Sequence, residues 1–207
     1  MSKDDQYARK AAGWSDAEYA DSRAYLDHRA ALVESLGVEL EHGDEVLDLA
    51  CGDGGLGAHL LARALRYRGV DVEPAMVDAA RNRLGGRATI EQGDLNAYEP
   101  PGPVAATTVF RSIYYTDDRA AFFSRVAGFT EKKLVLDLNP RQYRVSDVVR
   151  ELRAAGFARV ELRPFFVPQT RGLPVPAMQL LMTLERSGPL ARLALRLRFT
   201  YLVAAVR

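Results

Sequence analysis

The chain contains one cysteine, Cys51, so no disulfide can form within it. So little cysteine is typical of proteins from a reducing compartment, and we expect a cytoplasmic protein. The N-terminal residues are charged and lack the apolar run of a signal peptide. No stretch long enough to cross a bilayer is free of charge, since the best candidate, 189–207, contains Arg192, Arg196 and Arg198. We therefore expect a soluble protein without stable insertion into a membrane.

The sequence also lacks an excess of either charge, because 28 lysines and arginines stand against 27 aspartates and glutamates. Nucleic-acid binding usually depends on a net basic surface, so we expect no nucleic-acid partner. Histidine, a common group in acid–base catalysis, occurs only three times. His42 falls in a predicted loop before the first strand, and His59, on the predicted helix after the glycine-rich segment, is interpreted as a structural residue. The composition leaves the oligomeric state open.

Segments typical of strands alternate with segments typical of helices along the chain. The predicted strands are 45–50, 68–72, 88–92, 104–110, 133–138, 157–166 and 199–206. The predicted helices are 17–36 (one helix or two), 56–65, 75–84, 118–129, 146–155 with Ser146 as N-cap, and 174–197 with a break near Gly188. This alternation predicts an α/β fold with a doubly wound, seven-stranded, mostly parallel sheet that helices cover on both faces.

A length of 207 residues without a long linker predicts a single domain. We expect residues 1–40 to form an N-terminal helical cap, 41–166 the core, 167–198 a helical insertion and 199–207 a closing strand. In such a fold, ligands bind at the carboxyl ends of the strands, where the chain order reverses.

A glycine-rich segment follows the first predicted strand and is the first candidate for a ligand site. Glycine permits a tight turn and lets a ligand approach the backbone closely. The triplet Gly52-x-Gly54-x-x-Gly57 satisfies the pattern of dinucleotide-binding enzymes, although that pattern alone has low specificity. An oxidoreductase that uses NAD or NADP is therefore one interpretation of this segment.

The residues around these glycines favour another interpretation. The run Asp48-Leu-Ala50-Cys-Gly52-Asp53-Gly54 resembles motif I of the class I (Rossmann-like) S-adenosylmethionine-dependent methyltransferases, in which an acid precedes a small residue and two glycines. Ala50 stands where many members have glycine. The resemblance implies that Asp48 lies near the ammonium of the cofactor's methionine, while the turn from Gly52 to Gly54 passes under its carboxylate and ribose. A carboxylate complements an ammonium, and glycine amides at a helix N-terminus suit an anion.

Two later segments resemble further motifs of the same family. After the second predicted strand, Asp71 matches the acid that accepts hydrogen bonds from both ribose hydroxyls, and Glu73 is its rival. Val72 would lie against the adenine. After the third predicted strand, Asp94 matches the acid that accepts from the adenine amino group, with Leu95 beside the ring. The resemblance thus implies three acids that each bind one part of the same cofactor.

The exit of the fourth predicted strand should face both the cofactor and the methyl acceptor. Arg111, which we assign to the cofactor site, stands where metal-dependent members of the family carry an acid, and we expect no metal. Tyr114 and Tyr115 either contact the acceptor or pack against the next helix. They are candidate catalytic residues together with His28, because N-terminal helices in this family often fold over the cofactor. A surface position is the alternative for His28.

The N-terminal segment also supplies candidate binding residues. Trp14 and Tyr19 suit a lid that contacts the acceptor or the adenine, and packing against the sheet is the alternative. Arg29 is a candidate ligand of the cofactor's carboxylate.

The resemblance covers about 45–166 together with the closing strand, which the family inserts antiparallel between two neighbours. It implies transfer of a methyl group from S-adenosylmethionine to oxygen or nitrogen of a small-molecule acceptor, with S-adenosylhomocysteine as product. The family has no universal catalytic residue, because the cofactor carries a good leaving group and the protein mainly positions the acceptor. The alternatives are an NAD(P)-dependent oxidoreductase and an S-adenosylmethionine-binding module without turnover.

Overall fold

The computed structural model describes residues 13–169, 172–194 and 200–207, and seven strands within these residues form one sheet. They are β1 Glu45–Leu49, β2 Arg66–Asp71, β3 Thr89–Gln92, β4 Val104–Val109, β5 Thr130–Leu138, β6 Arg159–Pro164 and β7 Tyr201–Val206. The predicted strands are confirmed with small shifts at their ends. Residue 199, the predicted start of the last strand, lies outside the described residues.

The strands lie in the order β3-β2-β1-β4-β5-β7-β6. The pairs from β3 to β5 are parallel. β7 pairs antiparallel with both β5 and β6, as the predicted closing strand should. The chain order reverses between β1 and β4, so the carboxyl ends of these two strands border a crevice.

Eight α-helices occur within the described residues. They are α1 Trp14–Glu18, α2 Ser22–Ser35, α3 Gly55–Leu61, α4 Pro74–Leu84, α5 Arg119–Phe129, α6 Val145–Ala154, α7 Val175–Glu185 and α8 Pro189–Ala194. The predicted break in the last helix separates α7 from α8, while residues 195–197 lie outside the described part of the chain. Ser146 as an N-cap is wrong: α6 begins one residue earlier, and Arg144 occupies the cap position without a side-chain hydrogen bond.

Helices cover both faces of the sheet because the strands are apolar on both sides. Val46 of β1 belongs to a buried cluster that includes residues of α2, α3, α4 and α7. Leu47 and Leu49 of the same strand belong to a second cluster that includes residues of α5 and α6. The core therefore has two layers, and β1 lies between them. None of the helices in the described ranges is long and apolar enough to cross a membrane.

Lys133 of β5 connects the sheet to the end of α2. Its side chain is fully buried, and its Nζ donates hydrogen bonds to the carbonyl oxygens of Glu34, Leu36 and Val38 at 2.9, 2.9 and 2.5 Å. The last carbonyls of a helix lack partners within the helix, and a cation complements the negative end of the helix dipole. Lys133 thus satisfies the end of α2 from the neighbouring strand.

Candidate functional site

A cavity of about 610 Å³ opens at the carboxyl ends of β1, β2, β3 and β4. This is the place where an open α/β sheet binds its ligands, and the volume is in the usual range of small-molecule sites. Most of the site residues predicted from the sequence line this one cavity. They are Trp14, Tyr19, Arg29, Asp48, Ala50, Gly52, Asp53, Asp71, Val72, Asp94, Leu95, Arg111, Tyr114 and Tyr115.

Asp48, near the end of β1, is buried at the base of the cavity and accepts two hydrogen bonds. Tyr67 of β2 donates its hydroxyl at 2.7 Å, and Thr108 of β4 donates at 2.6 Å. Burial raises the pKa of Asp48 to about 6, and the two hydroxyls partly oppose this effect by stabilising the anion. A buried carboxylate that two neighbouring strands hold in place is suited to binding a cation in the cavity.

The glycine turn between β1 and α3 requires left-handed backbone. Gly52 and Gly54 have φ values of +56° and +73°. Ala50 has a φ of +61°, a conformation that costs an L-residue roughly 1–2 kcal/mol. Gly57 is needed for another reason, because a Cβ there would lie 2.5 Å from the ring of Tyr67. The turn therefore keeps Tyr67, and through it Asp48, in position.

Asp71, at the end of β2, joins the second predicted motif to the first. One carboxylate oxygen accepts from the amide of Gly52 at 2.8 Å, and the other accepts from the amide of Glu73 at 3.0 Å. Burial raises the pKa of Asp71, whereas these backbone hydrogen bonds lower it. A carboxylate has about four acceptor positions, so Asp71 can accept further hydrogen bonds from a ligand in the cavity.

Asp94 follows β3 and is exposed at the cavity rim. Its Oδ1 accepts from the backbone amide and the side-chain amide of Asn96 at 2.8 and 3.2 Å, which forms a turn that fixes the carboxylate. Leu95 beside it is buried. Asp48, Asp71 and Asp94 thus lie around one cavity at the ends of three neighbouring strands.

Arg29 of α2 also lines the cavity and is buried, with 3% of its surface exposed. Its guanidinium lies over the rings of Phe110 and Tyr25, at 4.4 and 4.8 Å from their centroids, and donates to the Tyr25 hydroxyl at 2.7 Å. Asp137 is 3.8 Å from the same guanidinium. The Nε of Arg29 is buried and has no hydrogen-bond partner. A buried donor without a partner is costly, so this guanidinium is prepared for an anion from the cavity.

Arg111 follows β4 and lies at the acceptor end predicted for this fold. Its φ of +55° is unusual for a residue with a side chain, and its amide donates to Asp137 at 2.7 Å. Backbone strain of this kind costs about 1–3 kcal/mol and persists where the surroundings enforce it. The guanidinium is paired with Glu18 of α1 at 3.1 Å and lies 5.9 Å from the centroid of the Tyr19 ring.

Tyr114 and Tyr115 belong to a short 3-10 helix, Ile113–Tyr115, after β4. Both side chains are about half exposed and line the cavity, and their ring centroids are 4.3 Å apart. The amide of Asn96 donates to the carbonyl of Tyr115 at 3.1 Å. The two rings therefore form part of the cavity mouth.

Comparison with known proteins agrees with this geometry. Residues 46–133 match the family model described as a methyltransferase domain. The fold matches solved methyltransferase structures over the whole length of the chain. The fold is therefore that of the solved S-adenosylmethionine-dependent methyltransferases, and residues 46–133 are similar in sequence to a methyltransferase domain.

Three known proteins illustrate this similarity. An uncharacterized methyltransferase of Schizosaccharomyces pombe is 35% identical over 89 residues, which are 43% of this chain and 30% of that protein. Trans-aconitate 2-methyltransferase of Rhizobium etli is 30% identical over 117 residues, 55% of this chain and 44% of that protein. The structure of magnesium protoporphyrin IX methyltransferase from Synechocystis, with bound S-adenosylmethionine, has a TM-score of 0.66 at 17% identity and covers 100% of this chain and 92% of that one. This chain spans less than half the length of either sequence relative.

Two residues that the sequence assigned to the site lie outside the cavity. His28 does not line the cavity: it is buried on α2, and its Nε2 is 2.5 Å from a carboxylate oxygen of Glu185 on α7. His28 as a candidate base is therefore wrong, and it is not a surface residue either. Gly54 also turns away, since a Cβ there would meet Leu84 and Ala80 of α4 rather than the cavity.

Asp53 lines the cavity, but its carboxylate is occupied by protein groups. It accepts from the amide of Ser15 at 2.9 Å and from the Ser15 hydroxyl, and it accepts from the amide of Gly55 at 3.2 Å. Arg83 of α4 is 2.7 Å away. Asp53 therefore fastens α1 to the glycine turn, which differs from the direct contact with the cofactor that the motif suggested.

Sequence reasoning missed several residues that build the site. They are Ser15, Glu18, Tyr67, Arg83, Thr108 and Asp137. The sequence indicated only Tyr67, and only indirectly. Gly57, the third glycine of the triplet, indicates that a bulky side chain packs against the start of α3. Within the described ranges, no group of three or more histidine, cysteine, aspartate or glutamate side chains is arranged to hold a metal ion.

Proposed function

We propose that the protein transfers the methyl group of S-adenosylmethionine to oxygen or nitrogen of a small-molecule acceptor. The observation that carries this proposal is the position of Asp48, Asp71, Asp94 and Arg29 around one cavity. Three carboxylates and one arginine match the ammonium, the ribose, the adenine and the carboxylate of a single ligand.

The unpartnered Nε of Arg29 supports the fit of this cofactor. Arginine offers five N–H donors, and the described contacts of Arg29 include one hydrogen bond, to the hydroxyl of Tyr25. A carboxylate beside it would satisfy the buried donor and pair with the charge. Asp48, which interacts electrostatically with Arg29, is the group for the neighbouring ammonium. We therefore assign the amino-acid part of the cofactor to these two residues.

The adenosine part fits the other half of the cavity. Asp71 is fixed by the amides of Gly52 and Glu73, which leaves its remaining acceptor positions for the ribose hydroxyls. Leu95 offers a buried apolar contact and Val72 an exposed one for the adenine ring, and Asp94 lies at the rim for its amino group. Glu73 also lines the cavity. Its backbone amide donates to Asp71 and holds that carboxylate in place, so we assign the ribose hydroxyls to Asp71.

The cofactor would supply a sulfonium methyl group, which reacts by in-line displacement and brings its own leaving group. The residues of the chain have to hold the acceptor in line and exclude water. Trp14, Ser15 and Tyr19 line the cavity from α1 and the turn that follows it, and Asp53 fastens α1 over the glycine turn. This arrangement suits a cap over the reacting atoms.

The relatives support a small-molecule acceptor. Trans-aconitate 2-methyltransferase, magnesium protoporphyrin IX methyltransferase and phosphoethanolamine N-methyltransferase all carry small acceptors in their names. Because the sequence relatives are covered over less than half of their length, activity and acceptor remain proposals for this chain. We further propose one domain, in which residues 1–40 and the insertion 167–198 flank the core 41–166.

Isothermal titration calorimetry with S-adenosylmethionine, S-adenosylhomocysteine and NADH tests the cofactor. We expect binding of the first two and no heat from NADH. Incubation with methyl-tritiated S-adenosylmethionine and a panel of phenols, amines and carboxylic acids then tests transfer. A preference for NADH would overturn the proposal, and tight cofactor binding without transfer to any acceptor class would favour a binding module.

A further inference from the structure

Several residues that line the cavity are not among those assigned above to direct contact with the cofactor, although the sequence alone had suggested Arg111 for the cofactor site. They belong to the part of the cavity beside the exit of β4, which is lined by Glu18, Tyr19, Phe110, Arg111, Tyr114 and Tyr115. Because β4 adjoins β1, where the amino-acid part of the cofactor is assigned, this part is where an acceptor would meet the methyl group. Its chemistry therefore restricts the acceptor.

The described cavity wall offers no evident general base. No histidine lines this wall. His28 of α2 is buried and pairs with Glu185 instead. Cys51 lines the cavity, but burial raises the pKa of its thiol well above the ordinary value. Glu18 is engaged by Arg111. Acceptors that must lose a proton, such as alcohols and ammonium groups, need such a base, whereas an acceptor that is already an anion does not.

The charge on this wall favours an anion. Two arginines line the described cavity, and whereas Arg29 is buried, the side chain of Arg111 is 35% exposed while it is paired with Glu18. Its left-handed backbone, held by the hydrogen bond from its amide to Asp137, fixes where the side chain leaves the strand end. Arginine is the side chain best suited to a carboxylate, because its planar fork donates two parallel hydrogen bonds.

We propose that the acceptor is a small carboxylic acid that is methylated on a carboxylate oxygen and held by Arg111, an assignment that rests on the methyl transfer proposed above. An oxygen of the acceptor's carboxylate attacks the methyl carbon, and a carbon–oxygen bond forms while the methyl carbon–sulfur bond breaks. The electron pair of the broken bond stays on sulfur. The products are a methyl ester and S-adenosylhomocysteine, and no proton is transferred.

The aromatic side chains define the rest of this acceptor. Tyr19 lies under the guanidinium of Arg111, and Tyr114 and Tyr115 form the mouth. Flat rings on two sides suit a planar acceptor, either an aromatic acid or an unsaturated aliphatic one. Glu18 pairs with one Nη of Arg111, so it keeps the arginine in position while the other donors of the guanidinium can receive the acceptor's carboxylate.

The test uses the full-length protein with methyl-tritiated S-adenosylmethionine. The acceptors are benzoate, cinnamate, fumarate and trans-aconitate, each paired with a phenol or amine of the same skeleton where one exists. Treatment with alkali releases a methyl ester as volatile methanol, while methyl ethers and methylamines stay in solution. We expect volatile counts from at least one of the acids and none from the phenols or amines. Transfer to phenols or amines alone, or no volatile counts from any acid, overturns the carboxylate assignment.

Variants of Arg111 test whether this residue binds the acceptor or the cofactor. Arg111→Gln should raise the KM of the acid about 10- to 100-fold, because a charge-assisted pair is lost, while the Kd of S-adenosylmethionine changes less than about twofold. Arg111→Lys should give an intermediate KM, since a lysine keeps the charge without the fork. Arg119→Gln is the matched control, because Arg119 pairs with Glu151 away from the cavity.

The outcomes separate the two proposals. A wild-type protein that does not bind S-adenosylmethionine contradicts the proposed function itself. If the wild type binds the cofactor and Arg111→Gln weakens that binding as much as it weakens the acid, Arg111 belongs to the cofactor site and the acceptor assignment is wrong. An unchanged KM in Arg111→Gln has the same consequence.

Discussion

Ser15 donates both its amide and its hydroxyl to the carboxylate of Asp53, so that helix α1 is fastened to the glycine turn. Both residues are buried, and they are 38 positions apart in the sequence. The contact makes the cap a part of the cofactor site and ties release of the cofactor to movement of α1.

Ser15→Ala should therefore speed release of S-adenosylhomocysteine. Loss of one hydrogen bond to a buried carboxylate costs about 1 kcal/mol, which corresponds to a five- to tenfold faster dissociation. Trp14, the single tryptophan, lines the cavity and serves as the fluorescent reporter in a stopped-flow experiment. Ser124→Ala is the control, because that hydroxyl bonds only within α5. Equal dissociation rates in the two variants would show that the contact does not retain the ligand.

Asp71→Ala should weaken binding of S-adenosylmethionine by about 1–3 kcal/mol, because ribose hydroxyls would be left unpaired and the amide of Gly52 would lose its acceptor. Glu73→Ala should have a smaller effect, since only the Glu73 amide takes part in the contact with Asp71. Calorimetry on both variants gives the comparison. A larger loss in Glu73→Ala would assign the ribose to Glu73 instead.

Cofactor affinity should fall as the pH drops through about 6. Burial raises the pKa of Asp48 to that value from the ordinary 3.8, and only the anion can pair with an ammonium. Below the midpoint, affinity should decline by up to about tenfold per pH unit. Tyr67→Phe removes one of the two hydroxyls that stabilise the anion, so the midpoint should move to higher pH. A midpoint that stays at the same pH in Tyr67→Phe would mean that another group titrates.

The same shift has a consequence for the stability of the protein without cofactor. Between pH 3.8 and about 6, folded Asp48 keeps a proton that the unfolded chain has lost. The contribution of Asp48 to the free energy of unfolding therefore decreases as the pH rises through this window. Urea denaturation of wild type and Asp48→Asn at several pH values measures it, because the asparagine variant lacks the dependence.

Gly57→Ala should destabilise the fold by about 1–3 kcal/mol, because the new methyl group would lie 2.5 Å from the Tyr67 ring, which is buried. The matched control is Gly128→Ala in α5, where nothing lies within 4 Å of the new Cβ. Alanine is a better helix former than glycine, so the control should be neutral or more stable by up to about 1 kcal/mol. Thermal melting of both variants decides the comparison, and similar melting temperatures would contradict the packing argument.

Lys133→Met should lower the free energy of unfolding by about 2–4 kcal/mol. The carbonyls of Glu34 and Leu36 would keep backbone donors, but all three carbonyls would lose a charge-assisted hydrogen bond of about 1.5–3 kcal/mol, and the apolar side chain recovers part of this by avoiding the burial of an ammonium. Lys132→Met is the control. Lys132 pairs with Asp44 near the surface, so this substitution should lower the free energy of unfolding much less. Chemical denaturation measures both, and an equal effect would rule out the special role of Lys133.

Local patterns were sufficient to predict the strands, the glycine turn and the acids at the strand ends. Asp48, Asp71 and Asp94 each follow or end an apolar segment, and parallel strands bring such ends together without further information. The antiparallel position of β7 came from the family resemblance rather than from any local pattern.

Contacts between distant residues were not predictable in this way. His28 pairs with Glu185 across 157 positions, and nothing on α2 indicates that an acid on α7 faces it. Asp53 matches a motif position, but its partners Ser15 and Arg83 are 38 and 30 positions away. The left-handed backbone of Arg111 also has no local cause, because its amide is held by Asp137 of a neighbouring strand.

The position of β7 sets an order for folding during synthesis. β6 has no neighbour in the sheet other than β7, and β7 is made after it although it lies between β5 and β6. A nascent chain that has reached residue 164 but not Tyr201–Val206 therefore has β6 detached and one side of β5 unpaired. Unpaired strand edges associate readily with other chains. The sheet can therefore close only after β7 has been made, and we expect the interval between the synthesis of β6 and β7 to be the one most exposed to association with other chains.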